Sequence, residues 1–171
     1  METERLLLRA PVHADVEAIF ARYASDADVT TYLAWPRHRA LEETRAFIEF
    51  SDAEWRKWPT GPLLVFSRAD GTLLGGTGLM FETPYRVATG YVFAKDAWGK
   101  GYATESLRAM IELAGSLGVS RLSAVCHTGH RASWRVMEKC GFEREGILKR
   151  HTVFPNLSLE PADVLSYARI F

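Results

Sequence analysis

Cysteine is scarce: Cys126 and Cys140 are the only two in 171 residues, and they make no disulfide framework. Surplus charge is missing as well. Lys+Arg and Asp+Glu both number 21, for a formal net charge of zero, which excludes bulk positive charge as a means of holding nucleic acid or an anionic membrane. No apolar run approaches the roughly 18 residues of a membrane span. The opening Met1-Glu2-Thr3-Glu4-Arg5 sets acids where a secretory signal carries a basic and then an apolar segment. Repeats, low-complexity tracts and linkers are also absent. What is present, 47% apolar and 25% charged residues, is the profile of a globular protein. The expectation is one domain over residues 1–171, in the cytoplasm, burying roughly 70% of its unfolded surface. Monomer and homodimer are both left open.

Periodicity along the chain is mixed. Glu4 to Arg9 reads as a strand, and Val12, Val16, Ile19, Phe20 and Tyr23 share one helical face. A second helix is expected over Leu41 to Lys57, before the turn cluster Pro59-Thr60-Gly61-Pro62. Strands follow at Leu63 to Ser67, Thr72 to Phe81 and Ala88 to Ala94, the first two joined by the hairpin signal Asp70-Gly71. Ala103, Leu107, Met110, Ile111, Ala114 and Leu117 then form a helix stripe that Gly118 ends. A strand (Arg121 to Cys126), a helix (Arg131 to Cys140) and two strands (Gly146 to Phe154, Asp163 to Ile170) complete the chain. This order predicts an α+β domain, a mixed α/β arrangement in which antiparallel strands come first.

The most informative stretch is Tyr91 to Glu105, YVFAKDAWGKGYATE, in which a strand enters a loop bearing Gly99 and Gly101 and a helix begins at once. Small residues let a ligand approach the backbone, and a helix start offers unpaired N–H groups at a positive dipole end. Such a loop suits a diphosphate; it also suits a plain turn. The Walker pattern is absent. A dinucleotide fingerprint needs an acid some twenty residues on, where this chain has Val119-Ser120-Arg121.

Trp98-Gly99-Lys100-Gly101-Tyr102-Ala103 resembles the acetyl-CoA loop of the GNAT family of N-acetyltransferases, which reads Arg or Gln, two residues, Gly, one residue, then Gly or Ala. Trp98 departs from Arg or Gln in a way the ribosomal-protein N-acetyltransferase (RimJ/RimL-type) branch tolerates. Thr3 to Arg9 (TERLLLR), Gly90-Tyr91, Trp98 to Glu105 and Glu138-Lys139-Cys140-Gly141-Phe142 resemble that branch in the right order, so the likeness spans nearly the whole chain. It implies a twisted, mainly antiparallel sheet of six to seven strands that splays at acetyl-CoA, with about four helices. It further implies that the backbone near Tyr91 and Phe93 pairs with the pantetheine arm. The amides of Gly99, Lys100, Gly101, Tyr102, Ala103 and Thr104 would take the diphosphate. His130 stands where the family usually has an Asn that contacts CoA.

Arg131, Arg135 and Lys139 recur every four residues beside an apolar stripe of Ala132, Val136 and Cys140. That is a solvated face or, next to a polyanionic site, a set of phosphate contacts, and Arg135 and Lys139 are carried as cofactor-binding candidates. Gly141-Phe142 is a helix stop.

In the transfer the resemblance implies, an amine must be neutral to attack a thioester, and the departing thiolate gains from a proton. Many family members supply that proton from a Tyr, and the matching residue here is Met137. The Rim-type branch has a Ser one turn earlier, here Ser133, which is the expected donor to the thiolate. Glu82 and His151 are the candidate bases. A peptide α-amine near pKa 8 loses only about 1 kcal/mol to protonation at pH 7, against roughly 4–5 kcal/mol for a lysine-like amine, so an α-amine acceptor needs little more than a water chain.

Cys126, His127 and His130 lack the further ligands of a metal site, and none is expected. Both cysteines fall at apolar positions and read as inert buried thiols. Trp35, Trp55 and Trp58 lie in the third of the chain that forms one acceptor wall in the family, and core packing is their other reading. The expected activity is direct transfer of acetyl to a primary amine, a protein N-terminus or a small molecule, in a ternary complex. Two alternatives stand beside it: a non-catalytic acyl-CoA sensor of the same fold, and transfer of a longer acyl group such as succinyl.

Overall fold

The computed structural model describes residues 1–171. Seven strands form one sheet: β1 (Leu6–Arg9), β2 (Pro62–Ser67), β3 (Leu73–Thr83), β4 (Arg86–Phe93), β5 (Arg121–His127), β6 (Glu143–Phe154) and β7 (Ser158–Ile170), in the spatial order β1-β2-β3-β4-β5-β7-β6. Every neighbouring pair is antiparallel except β4 and β5. The hairpin expected at Asp70-Gly71 is present, with Gly71 at φ +72° and its N–H donating to the Ser67 carbonyl at 2.9 Å.

Five helices flank the sheet: α1 (Val16–Ile19), α2 (Ala27–Thr30), α3 (Leu41–Lys57), α4 (Tyr102–Ser116) and α5 (Arg131–Lys139). None is long and apolar enough to cross a membrane. Alternation along β2 shows how the layers form. Leu63 and Val65 join the core beneath α4 and α5, whereas Leu64 joins Val16, Ile19 and Ile48 on the opposite face beneath α1 and α3. On α4 the expected stripe is the packing face: Leu107, Met110 and Ala114 are fully buried, with Ala103, Ile111 and Leu117 at its margin. Burial of a side chain such as Leu107 or Met110 contributes about 1.5–3 kcal/mol.

The helix expected over Val12 to Tyr23 is one continuous run from His13 to Ala24, a 3-10 turn at its start (His13–Asp15), then α1, then a π-helical turn (Phe20–Ala24). Asp15 fixes the start: its carboxylate accepts from Arg9 Nη1 and Nη2 at 2.7 and 2.6 Å and from the Val12 N–H at 2.8 Å. At the end, the Ser25 N–H and hydroxyl both reach back to the Phe20 carbonyl, at 3.1 and 2.7 Å. Strands β6 and β7 also begin earlier than their apolar patterns predict. Their hairpin runs beyond the core, where exposed residues keep the ladder going through three register shifts.

The feature that positions the site is the β4–β5 pair. It is in register only from Arg86–Arg121 to Ala88–Ser123. Beyond that point β4 continues along β3 and β5 along β7, so the sheet opens between them.

Candidate active site

At the end of β4 a 3-10 turn (Lys95–Ala97) leads through Trp98 into the glycine loop. Gly99 and Gly101 have φ of +74° and +83°, a region closed to most side chains, and Gly101 is the N-cap of α4. Consecutive N–H groups from Gly99 to Thr104 donate to no backbone acceptor. The first turn of α4 therefore keeps all its free donors, with the positive end of the helix dipole behind them. Trp98, half exposed, ties the loop down: its Nε1–H donates to the Phe93 carbonyl at 2.7 Å.

The same bond fixes which way β4 faces. Ala94 N–H donates toward β3, to the Leu74 carbonyl at 2.8 Å, while the Phe93 carbonyl lies on the opposite side under Trp98. By the alternation of a strand, the N–H and C=O of Tyr91 also face the side from which β5 has parted. An extended amide-bearing chain laid in this opening meets an unpaired strand edge on one side and leads to the Gly99–Thr104 donors.

Across the opening, the Tyr91 hydroxyl donates to the Ser133 carbonyl at 2.8 Å and lies 3.1 Å from Ser133 Oγ. Burial pushes the Tyr91 phenol up, so it stays protonated. With the Tyr91 proton on the Ser133 carbonyl, the 3.1 Å contact has the Ser133 hydroxyl donating to the Tyr91 oxygen, a bond it exchanges to donate to any other acceptor. Beneath it Cys126 is buried, and burial pushes its thiol up to about 11 despite the Ser133 hydroxyl beside it. Cys126 is thus a neutral thiol at pH 7, and Cys140, also raised by burial, donates its S–H to the Thr104 carbonyl at 3.5 Å. Met137 is 1% exposed, in the core under α5.

The Cys140–Thr104 contact sets the end of α5 beside the first turn of α4, bringing exposed Lys139 to the neighbourhood of the loop. Arg135 is exposed one turn earlier, its guanidinium 5.8 Å from the Trp134 ring centre. The helix stop is a full Schellman closure: Phe142 N–H to Met137 C=O at 3.1 Å, Gly141 N–H to Glu138 C=O at 3.0 Å, and Gly141 at φ +75°.

His130 is the N-cap residue of α5, and its ring is stacked 4.7 Å from that of Tyr32. Burial, with His127 nearby, holds His130 below the usual imidazole range, so it is neutral at pH 7.

Glu82 is not brought to this site. It lies at the β3–β4 turn, ion-paired with Arg86 Nε at 2.6 Å, where β4 and β5 are still joined. Five residues of strand separate Arg86 from Tyr91, about 16 Å at a strand's rise, so the expected role of Glu82 as base is withdrawn. His151 is exposed near the β6–β7 turn, its Nδ1 bonded to Thr152 Oγ1 at 2.8 Å.

Sequence reasoning missed four contributors. Tyr91 is expected for its backbone, yet it also brings a hydroxyl. Thr3 and Arg5 reach Glu105, a pairing whose only trace in the sequence is the resemblance of both segments to one family. Tyr32 carries no local signal at all.

A family model described as an acetyltransferase (GNAT) domain matches residues 5–143. An uncharacterised N-acetyltransferase of Bacillus subtilis, YoaA, is 30% identical over 154 residues, 88% of this chain and 86% of that protein. The crystal structure of a GNAT-family acetyltransferase from Bacillus anthracis is 29% identical, with a TM-score of 0.84 over 99% of this chain and 96% of that one. The fold is also that of RimL, a ribosomal L7/L12 α-N-protein acetyltransferase solved with coenzyme A, at 23% identity and a TM-score of 0.86 over 99% of this chain and 96% of RimL. With this match, the chain belongs to the GNAT family as an acetyl-CoA-dependent acetyltransferase.

Proposed function

We propose that the protein transfers acetyl from acetyl-CoA directly to a primary amine, with both substrates bound together in the opening between β4 and β5. The observation that carries this reading is the run of unpaired N–H donors from Gly99 to Thr104, set at the end of the strand whose Tyr91 meets Ser133. Those donors suit the diphosphate of acetyl-CoA, and RimL, which shares the fold, is solved in complex with coenzyme A. The free edge of β4 pairs with the pantetheine arm, which runs toward Ser133.

In the reaction the amine nitrogen bonds to the thioester carbon, the carbon–sulfur bond breaks, and the sulfur leaves as a thiolate that takes up a proton. Ser133 donates a hydrogen bond from its hydroxyl to that sulfur, the proton that the attacking nitrogen sheds ends on the sulfur, and Tyr91 fixes Ser133 by bonding its carbonyl. The ammonium must lose its proton before attack. No carboxylate hydrogen-bonds to Ser133 or to the Tyr91 hydroxyl, and an α-amine, which is cheap to deprotonate, asks less of the site than a lysine-like amine.

Calorimetric titration with acetyl-CoA, followed by free-thiol release over a panel of amines, tests the proposal. We expect binding, with release only when an amine is present. Gly101→Glu places a strained side chain and a negative charge at the diphosphate, and it should abolish binding in a protein that still folds. Binding without turnover on any amine would leave an acyl-CoA sensor, and unchanged affinity in Gly101→Glu would remove the loop from the site.

A further inference from the structure

The open end of the sheet is crossed by a strap. Residues 26–37 pass from the rim after β4, where the Asp28 carboxylate pairs with Lys95 Nζ, to the rim after β5, where the Tyr32 ring stacks 4.7 Å from His130 and 5.1 Å from His127. One side chain from a distant turn holds this strap. Asn156, between β6 and β7, donates from Nδ2 to the Thr30 carbonyl at 2.8 Å and the Trp35 carbonyl at 3.0 Å, and its Oδ1 accepts from the Arg37 N–H at 2.8 Å. These bonds fall on both sides of Tyr32. Phe154, two residues before Asn156 and buried, makes a T-shaped contact with His127, ring centres 5.1 Å apart.

We propose that Asn156 is a positioning residue for the amine acceptor: it latches the strap so that Tyr32, His127 and His130 form an aromatic wall at the open end of the site, selecting amines carried on flat or apolar groups over polyamines. The proposal rests on the acetyl-transfer reading above. Its chemistry follows from what the wall holds and lacks. Aromatic faces stack on apolar groups and favour a single nearby cation. The distal ammonium groups of a polyamine need carboxylates, and the strap's own are engaged, Asp28 by Lys95 and Asp26 by the N–H groups of Asp28 and Val29. An amide fits the latch better than a carboxylate, because two of its three partners are carbonyls that require a donor.

Asn156→Ala, Asn156→Asp, Tyr32→Ala and Tyr32→Phe are compared with the unmodified protein by thiol release on phenethylamine, a neutral dipeptide amide and spermidine. Calorimetry gives the acetyl-CoA Kd of each. The two Asn156 variants and Tyr32→Ala should raise acceptor KM by about tenfold. Tyr32→Phe, which keeps the ring, should behave as the unmodified protein. Acetyl-CoA Kd and kcat at saturation should hold within about twofold, a split that general loss of structure does not produce. Where Asn156→Ala fails to fold, Tyr32→Ala and Tyr32→Phe carry the test. Unchanged acceptor KM in Tyr32→Ala, spermidine as the best acceptor, or loss of acetyl-CoA affinity along with KM would each overturn the proposal. Acetyl-CoA binding with no thiol release on any amine by the unmodified protein would overturn the transfer reading itself, and this inference with it.

Discussion

Arg5 grips Glu105 across the glycine loop: Arg5 Nε and Nη2 both lie 2.7 Å from Glu105 Oε2, and the Arg5 N–H donates to Oε1 at 2.9 Å. Thr3 Oγ1 adds a bond of 2.6 Å to Oε1, and Arg5 Nη1 reaches the Lys100 carbonyl at 3.0 Å. Burial alone would push the Glu105 carboxyl up, but the bonds from Thr3 and Arg5 outweigh it and hold it below its ordinary range. A carboxylate in the first turn of α4 suits the helix dipole, but it would oppose the diphosphate proposed for the same turn, and Arg5 neutralises that charge.

A double-mutant cycle should expose this relationship. Arg5→Ala, which strands Glu105 beside the diphosphate, should weaken acetyl-CoA binding by about tenfold. Adding Glu105→Gln should recover most of that loss, because the stranded charge is gone. Additive losses by calorimetry would mean that the two residues act separately.

Much of the fold is legible in the sequence because its signals are local. The α4 stripe, the Asp70-Gly71 hairpin and the Gly141-Phe142 stop each follow from residues within a few positions of one another. The glycine loop is legible for the same reason. Asp15 and Ser25, in contrast, shape the 3-10 start and the π-helical end of a helix that apolar spacing alone makes regular, through side-chain hydrogen bonds that the spacing does not show. The early starts of β6 and β7 lie on exposed residues with no apolar alternation to mark them. The Tyr32–His130 stack and the Asn156 latch join segments about a hundred residues or more apart in sequence, and no periodicity encodes which distant turn meets which loop. Glu82 shows the opposite failure: it is near the site along the chain, but the strand carries Tyr91 away from it.

The basic stripe of α5 should report itself through salt. Arg131, Arg135 and Lys139 are exposed, with Lys139 near the start of α4. Screening weakens exposed charge pairs, with a Debye length of about 10 Å at 0.1 M and roughly 30 Å at 0.01 M. Arg135→Ala and Lys139→Ala should therefore weaken acetyl-CoA binding at low salt and converge with the unmodified protein at high salt. A difference that does not change with ionic strength would make the stripe a solvated face.

His130 makes stability fall in acid. Its imidazole is held below the usual range by burial and by His127, so between that lowered value and about 6.5 the unfolded chain binds a proton that the folded one does not. Stability is whole above about pH 6.5 and declines as pH falls below it. His38, lowered by burial although Glu43 opposes the shift, works in the same direction. Melting temperatures at pH 7.5 and 5.5 should drop on acidification, and His130→Asn should shrink the drop without removing it. An undiminished drop in His130→Asn would show that His130 is not the group taken up.

The Ser133–Tyr91 pair bears most directly on the chemistry. Tyr91 OH is 2.8 Å from the Ser133 carbonyl and 3.1 Å from Ser133 Oγ, and Met137, in the family's tyrosine position, is sealed in the core. A thiol leaving group with a pKa near 8.5 is only moderately basic, so a proton donor helps its departure without being indispensable. Ser133→Ala should cut the chemical step by about a hundredfold while sparing the acetyl-CoA dissociation constant. Tyr91→Phe keeps the ring in the opening and removes only the bond that fixes Ser133, so its loss should be smaller, about tenfold. Single-turnover thiol release with saturating amine separates the chemical step from product release. A larger loss in Tyr91→Phe than in Ser133→Ala would make the phenol the proton donor. Full turnover in both would hand that role to water, and weakened cofactor binding with turnover intact at saturation would make Ser133 a binding residue.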